Sequence, residues 1–473
     1  MIVQLRYNWA VSDIYLYNSL TRKKEKLEAL RQTQGKPEVG MYTCGPTVYN
    51  YQHIGNFRTM TLSDILRRTL IFNSYKVKFV RNITDIDDKT IKGAADAKME
   101  LAEFTKKYTQ IFFEDLKELN ILPADVDTKA TDYIEEMIDY NKALVEKGLA
   151  YVENDGSVYF DISKFTNYGK LSRIKKRQLQ TGTRILSDEY AKEDVQDFAL
   201  WKSVKPDEFG YESPWGRGRP GWHIECSVMS QKNLGDTFDI HVGGIDLLFP
   251  HHENEIAQSE GKTGKEFVNY FVHGEFLLVD GAKMSKSLKN FYTVSDIEKQ
   301  GFDPLALRYF YLTGHYRNIL NFTWESLESA QNALTRLKAQ MVELKNATRS
   351  QLSKEKLEKV KKYQNEFLVA VNDDLNTPQA LAVLWEVLKS NIPSEDKYDL
   401  VLSFDEVLGL NLAKVSQVSQ VMQVPQEVQK LVDEREKLRK AGKFEESDLV
   451  REHLEEMGYA VEDTVHGPKV KKL

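Results

Sequence analysis

The chain has 473 residues, with 65 lysines and arginines against 71 aspartates and glutamates and a net charge of −6, a balance that excludes a protein coating nucleic acid indiscriminately. Hydrophobic residues at 41% and charged residues at 29% exclude a disordered or fibrous chain, and the length exceeds what one core organises, so about two to four domains are expected. No apolar run approaches the roughly 20 residues that a bilayer requires. Met1 to Ser12 carries only Arg6 as a basic residue and lacks a secretory pattern, so the expectation is a cytoplasmic protein without a membrane partner.

Glu38 to Cys44 reads as a strand running into the loop Gly45-Pro46-Thr47. Apolar residues at Phe57, Leu62, Ile65, Leu66 and Leu70 then repeat with a helical period, so His53 stands near a strand-to-helix turn. Val77 and Phe79 alternate with lysines and predict a second strand, parallel to the first through a right-handed crossover. This is the opening of a doubly wound, Rossmann-type nucleotide fold. After a helix through Leu101 to Leu119 the pattern changes at Leu122-Pro123, with a helix over 131–147 and a hairpin around Asn154-Asp155-Gly156. An insertion over 122–205 explains the change. Thr237 to Val242 reads as a strand, Gly243-Gly244 as a tight loop and Pro250 as a helix start. From Thr323 onward the apolar stripes are helical, Ala413 to Pro425 reads as a linker, and a small module with a basic end closes the chain.

Two cysteines, Cys44 and Cys226, are too few for a disulfide framework. Of nine histidines, five fall between 223 and 273, where ligands or catalytic groups concentrate. On the helix after Pro250, His251 and Glu255 are four apart and share a face, while His252 and Glu255, three apart, serve almost equally. Two thiolates, an imidazole and a carboxylate suit a tetrahedral Zn²⁺. Spacing alone leaves the choice of histidine open. Lys283-Met284-Ser285-Lys286-Ser287 follows the apolar run Phe276 to Val279 on a glycine-led loop. With His53-Ile54-Gly55-Asn56 far upstream, it points to ATP-driven activation of a carboxylate.

Six segments, in order, carry a family resemblance: Met41 to Tyr49, His53 to Asn56, Arg81 to Lys89, Gly221 to Ser227, Phe249 to Glu255 and Lys283 to Ser287. The chain resembles the cysteinyl-tRNA synthetases, of class I, over nearly its whole length. The resemblance implies zinc held by Cys44, Cys226, His251 and Glu255, and a cysteine pocket formed by Gly45, Thr84, Trp222 and Asp246, with Asp246 on the substrate ammonium. It implies ATP bound by His53, Asn56 and Lys286, with Mg²⁺ arriving alongside the nucleotide, and catalysis by those three residues with Lys283 in support. Arg439, Asp448 and Asp463 match anticodon-reading positions. Asn56 stands where the class usually has histidine, Phe444 where the family often has tryptophan, and Gly467 to Val470 lacks the usual tryptophan-arginine ending. For Asp85, Asp87 and Asp88, salt bridges and helix capping are expected.

The implied architecture is an α/β catalytic domain with a connective insertion, then a helical bundle and a small α+β anticodon-binding module. Its expected divisions are 1–121 and 206–265 for the two catalytic halves, 122–205 for the insertion, 266–325 for the stem-contact region, 326–412 for the bundle and 413–473 for the linker and module. The implied partners are tRNA(Cys), ATP and L-cysteine, acting on a monomer. A cysteine ligase that acylates an amino sugar would resemble the catalytic part alone, and residues 415–473 favour the synthetase. An RNA-binding paralogue without catalysis would have no need of His53, Lys286 and all four proposed ligands.

Overall fold

The computed structural model describes residues 13–33, 35–174, 179–185, 195–284, 288, 290–345, 353–414, 426–464 and 467–472. A hairpin of β1 (Tyr15–Asn18) and β2 (Lys23–Lys26) leads to β3 (Arg31–Thr33) and β4 (Lys36–Thr43). Helix α1 (Ile54–Phe72) crosses to β5 (Lys76–Ile83), and α2 (Asp88–Ala97) with α3 (Leu101–Glu118) crosses to β6 (Val126–Lys129). After α4 (Ile134–Glu146), the strands β7 (Ala150–Val152), β8 (Val158–Phe160), β9 (Leu179–Ile185), β10 (Val195–Ser203) and β11 (Gly218–Pro220) build a sheet of their own. The chain then returns through α5 (Trp222–Leu234), β12 (Phe238–Gly244), α6 (His251–Thr263) and β13 (Val268–Gly274).

The main sheet has the order β13-β12-β4-β5-β6, with β3 antiparallel on β4 and every other pairing parallel. The chain winds outward from β4 through β5 to β6, then restarts on the other side with β12. A topological switch point therefore lies between β4 and β12, and ligands bind beyond the carboxyl ends of strands at such points. Burial explains the sequences: β12 is buried at every residue and β4 over its last five, as parallel strands covered on both faces must be.

Two details depart from expectation. Strand β6 pairs with β5, Val80 opposite Val126, so the main sheet continues past residue 122, the expected start of the insertion. Four residues are too few to show a periodicity of their own. Gly243 and Gly244 are the last residues of β12, opposite His273 and Gly274, and not a loop. A Cβ at Gly243 would meet the His252 ring, so the absent side chains serve packing and not turning.

Beyond β13, β14 (Leu277–Val279) pairs with β15 (Ala282–Lys283), and α7 (Val294–Lys299) and α8 (Pro304–Leu312) precede β16 (Leu320–Phe322), which lies parallel to β14. Helices α9 (Trp324–Lys345), α10 (Lys354–Asn372), α11 (Thr377–Lys389) and α12 (Ser394–Leu408) share one apolar core with the nucleotide fold. A separate small core of Val428, Val432, Leu454 and Val461 holds α13 (Gln426–Lys440), α14 (Phe444–Glu456) and the hairpin of β17 (Tyr459–Thr464) and β18 (Gly467–Lys472). Among the described residues, no helix is long and apolar enough to cross a membrane.

Two buried arginines lock these parts together. Arg58 of α1 donates to four carbonyls, those of Glu275 at 2.8 Å, Phe276 at 2.6 Å, His315 at 3.3 Å and Asn318 at 2.6 Å. Arg308 of α8 pairs with Asp64 of α1 at 2.5 Å and donates to the carbonyls of Leu408 at 2.7 Å and Leu119 at 3.0 Å. Removing one member of a fully buried ion pair costs about 3 to 5 kcal/mol, because the other keeps its desolvation penalty. Asp64→Leu is therefore expected to lower the unfolding free energy, read from chemical denaturation, by that amount, and an unchanged value would refute the lock.

Candidate active site

The ends of β4, β12 and β13 and the starts of α1 and α5 meet around a cavity of about 300 Å³. Thr43, the last residue of β4, lies opposite Val242 on one side and Arg81 on the other, which delivers Cys44 and Gly45 to the cavity wall. Gly45 donates its N–H to Asn82 Oδ1 at 2.8 Å, and a Cβ there would collide with the Asn82 carbonyl. No other residue fits. The loop is stitched on to β5 by Thr84 N–H to Pro46 O at 3.0 Å and Val48 N–H to Thr84 O at 3.1 Å.

His53 caps α1 through a reciprocal pair: its Nδ1 accepts from Asn56 N–H at 3.2 Å, and Asn56 Oδ1 accepts from His53 N–H at 3.1 Å. Burial lowers the His53 pKa to about 4, so the ring is neutral at physiological pH. With Nδ1 accepting, the proton of the neutral ring is on Nε2. Asn56 Oδ1 being engaged likewise leaves its amide N–H₂ as the donor end. Both side chains line the cavity at a helix N-terminus, an arrangement suited to an anion. Lys283 lines the same cavity, its ammonium 5.2 Å from the Phe276 ring centroid. Lys286 lies outside the described residues.

Behind the wall stands a buried cluster. Cys44 Sγ is 3.8 Å from Cys226 Sγ and 3.9 Å from Glu255 Oε1. His251 Nε2 is 3.1 Å from Glu255 Oε1 but makes no hydrogen bond. Among the described residues, two sets of donor atoms, each within 4.8 Å of one another, could hold a metal ion: Cys44, Cys226, His251 and Glu255, or Cys44, His241, His252 and Glu255. In the second set His241 Nε2 already bonds Glu255 Oε2 at 2.9 Å. His251 in turn shares a 2.8 Å contact with His223, and His252 one with His273. Burial pushes both thiols upward in pKa, with their mutual contact adding to the rise at Cys44. It lowers His223, His251 and His273 to about 3.

The other expected site residues separate. Trp222, half-buried, lines the cavity with its ring 4.2 Å from that of His251, and exposed Asp246 lines it as well. Thr84 does not. It is fully buried one layer back, where its hydroxyl donates to Glu225 Oε2 at 2.7 Å. Asp87 caps α2, Asp85 accepts from Thr131, and Asp88 pairs with Lys202 at 3.2 Å and with Arg219, so the three aspartates are structural. Arg439 lies on α13, Asp448 is exposed on α14 and Asp463 is in β17, all far from the cavity in sequence. His223, His241 and His273 were signalled only by the local density of histidine, which says nothing of which ring touches which.

The fold and cavity define the class I aminoacyl-tRNA synthetases. Residues 30–332 match the family described as tRNA synthetases class I (C) catalytic domain, residues 366–391 the DALR domain and residues 422–468 the cysteinyl-tRNA ligase anticodon binding domain. The cysteine–tRNA ligase of Chlamydia felis is 45% identical over 98% of both chains, and that of Brachyspira hyodysenteriae 45% identical over 98% of this chain and all of its own. The chain belongs to the cysteine–tRNA ligase family. Solved structures share the fold at low identity: Mycobacterium tuberculosis methionyl-tRNA synthetase with methionyl-adenylate has a TM-score of 0.59 at 14% identity, covering 79% of this chain and 90% of its own. For the ternary complex of Agrobacterium radiobacter K84 LeuRS, tRNA and LeuAMS the values are 0.60 and 10%, covering 82% and 86%.

The buried histidines fix the pH response. The unfolded chain takes a proton near pH 6.5 that His53 refuses until about pH 4, and burial makes His223, His251 and His273 refuse theirs as well, so stability is unaffected above about pH 7 and falls with acidification, the His53 ring alone removing roughly 2 to 3 kcal/mol by pH 4.5. Thermal unfolding midpoints should be flat between pH 7 and 8 and drop steeply between 6.5 and 4.5.

Proposed function

We propose that this chain activates L-cysteine with ATP and passes it to the 3′ terminal adenosine of tRNA(Cys). The cysteine carboxylate attacks the α-phosphorus of ATP in line, pyrophosphate leaves, and cysteinyl adenylate forms. A ribose hydroxyl of the terminal adenosine then attacks the acyl carbon and AMP leaves. Such transfers need positioning and charge stabilisation more than a protein nucleophile. His53 Nε2–H and the Asn56 amide hold the phosphates at the α1 N-terminus, and Lys283 and Lys286 offset the charge that develops on them. Asp246 holds the substrate ammonium, Trp222 forms a wall, and Thr84 acts from behind by fixing Glu225. Residues 413–473, with Arg439, Asp448 and Asp463, read the anticodon, and the match of 422–468 to the anticodon binding domain supports this.

We assign the metal to Cys44, Cys226, His251 and Glu255. Thiolates that both bind one tetrahedral Zn²⁺ at about 2.3 Å stand roughly 3.8 Å apart, and the observed separation of Cys44 and Cys226 is 3.8 Å. His251 Nε2 and Glu255 Oε1 approach to 3.1 Å without bonding, as two donors to a shared ion do. Zinc bound there supplies a site for the substrate thiol as thiolate, which a serine hydroxyl cannot match near neutral pH. This donor cluster, open to the cavity through Cys44, is the observation that carries the cysteine assignment.

Metal analysis should find one zinc per chain, and cysteine-dependent exchange of pyrophosphate into ATP should exceed serine-dependent exchange by on the order of 10³. Zinc-free protein with unchanged selectivity would sink the assignment. Cys226→Ser is expected to lose the metal and most cysteine-dependent exchange. Lys286→Ala should lower exchange by about 10² or more with little effect on zinc content, and an unaffected rate would remove Lys286 from the mechanism.

A further inference from the structure

We propose that Tyr49 and Tyr51 form a stacking platform on which the unpaired 3′ end of the tRNA lies as it enters the cavity, an inference that rests on the proposed transfer to tRNA. Both tyrosines line the cavity, and both rings are left exposed, at 36% and 43%. The loop that carries them does not need their rings to hold its shape. Its backbone is bonded to β5 at Val48, and buried Gln52 closes it by donating to the carbonyls of Thr47 and Asn50, each at 3.3 Å. The rings are braced from outside instead. Tyr51 meets Tyr108 at 5.7 Å in an edge-on contact, and Tyr108 in turn packs on Phe104 at 5.0 Å. The Lys89 ammonium lies 5.8 Å from the Tyr49 ring centroid.

Braced aromatics next to a cation match the chemistry of an unpaired nucleotide, which offers a flat base and a phosphate. The acylated hydroxyl belongs to the last nucleotide, and that hydroxyl must reach an adenylate formed inside the cavity. The nucleotides before it must then cross the cavity wall, where the two rings stand. Stacking tolerates any base, so the platform contributes affinity and reach while the anticodon module contributes identity.

The test uses the full chain, a tRNA(Cys) transcript and the same transcript without its last three nucleotides. Tyr49→Leu and Tyr51→Leu should each lower kcat/KM for the complete tRNA by about tenfold, whereas Tyr51→Trp stays within about threefold of wild type. The complete transcript should bind the leucine variants more weakly than wild type, and the truncated transcript should bind all of them alike. Leucine variants that charge tRNA as wild type does would overturn the platform alone. A rise in KM for ATP during pyrophosphate exchange, with tRNA binding unmoved, would overturn it in favour of stacking on the nucleotide. A wild-type chain that charges no tRNA would overturn both the platform and the ligase function.

Discussion

The register of one strand governs the catalytic half of this molecule. With Thr43 of β4 set opposite both Val242 and Arg81, three strands deliver their next residues to the same level: Cys44 and Gly45 from the centre, Gly243 from one side and Asn82 from the other. A slip of one residue would turn every side chain of β4 to the opposite face. Cys44 would leave the thiol and histidine cluster, and Gly45 would no longer supply the gap that the Asn82 carbonyl occupies. The switch point between β4 and β12 therefore does more than open a crevice. It sets two thiols, the N-terminus of α1 and the side chains of Trp222 and Asp246 within one cavity and its wall.

Electrostatics then divides that space. On the cavity side, His53 is neutral and presents a donor, a form suited to an anion without the cost of burying an imidazolium. Behind it, burial keeps His223, His251, His252 and His273 neutral and holds both thiols protonated when no cation is near. Their contacts with one another fix ring orientations, the role that outer partners play around metal ligands. The neutral donor of His53 and the buried cluster of thiols and histidines are thus two distinct environments on either side of the cavity wall.

Much of this was legible in the chain, and for identifiable reasons. A strand, a short connection and a helix recur over 36–72 and again over 238–263, and hydrophobic period is a local property that a sequence displays directly. What side chains do across the sheet is not local. Whether His251 or His252 faces the thiols depends on how α6 lies against α5, and both rings proved buried in the same cluster. Thr84 follows an extended strand, yet its hydroxyl turns to Glu225, 141 positions away, a partner no spacing could reveal. Strand β6 was hidden by its brevity. Gly243 and Gly244 read as a turn because a glycine pair signals a turn far more often than two neighbours packed over bare backbone.

Arg58 has a consequence of another kind. It binds backbone carbonyls at residues 275, 276, 315 and 318 and no side chain at any of them. Arg58 therefore holds this stretch of backbone through groups that every residue offers, and of the four residues it grips Glu275 and Phe276 line the cavity. Side chains at 275 and 276 can then differ in what they present to the cavity while the Arg58 bonds to their carbonyls persist. Such a division between a fixed frame and a replaceable lining is how one scaffold can be adapted to a new ligand by changing surfaces and leaving the skeleton intact.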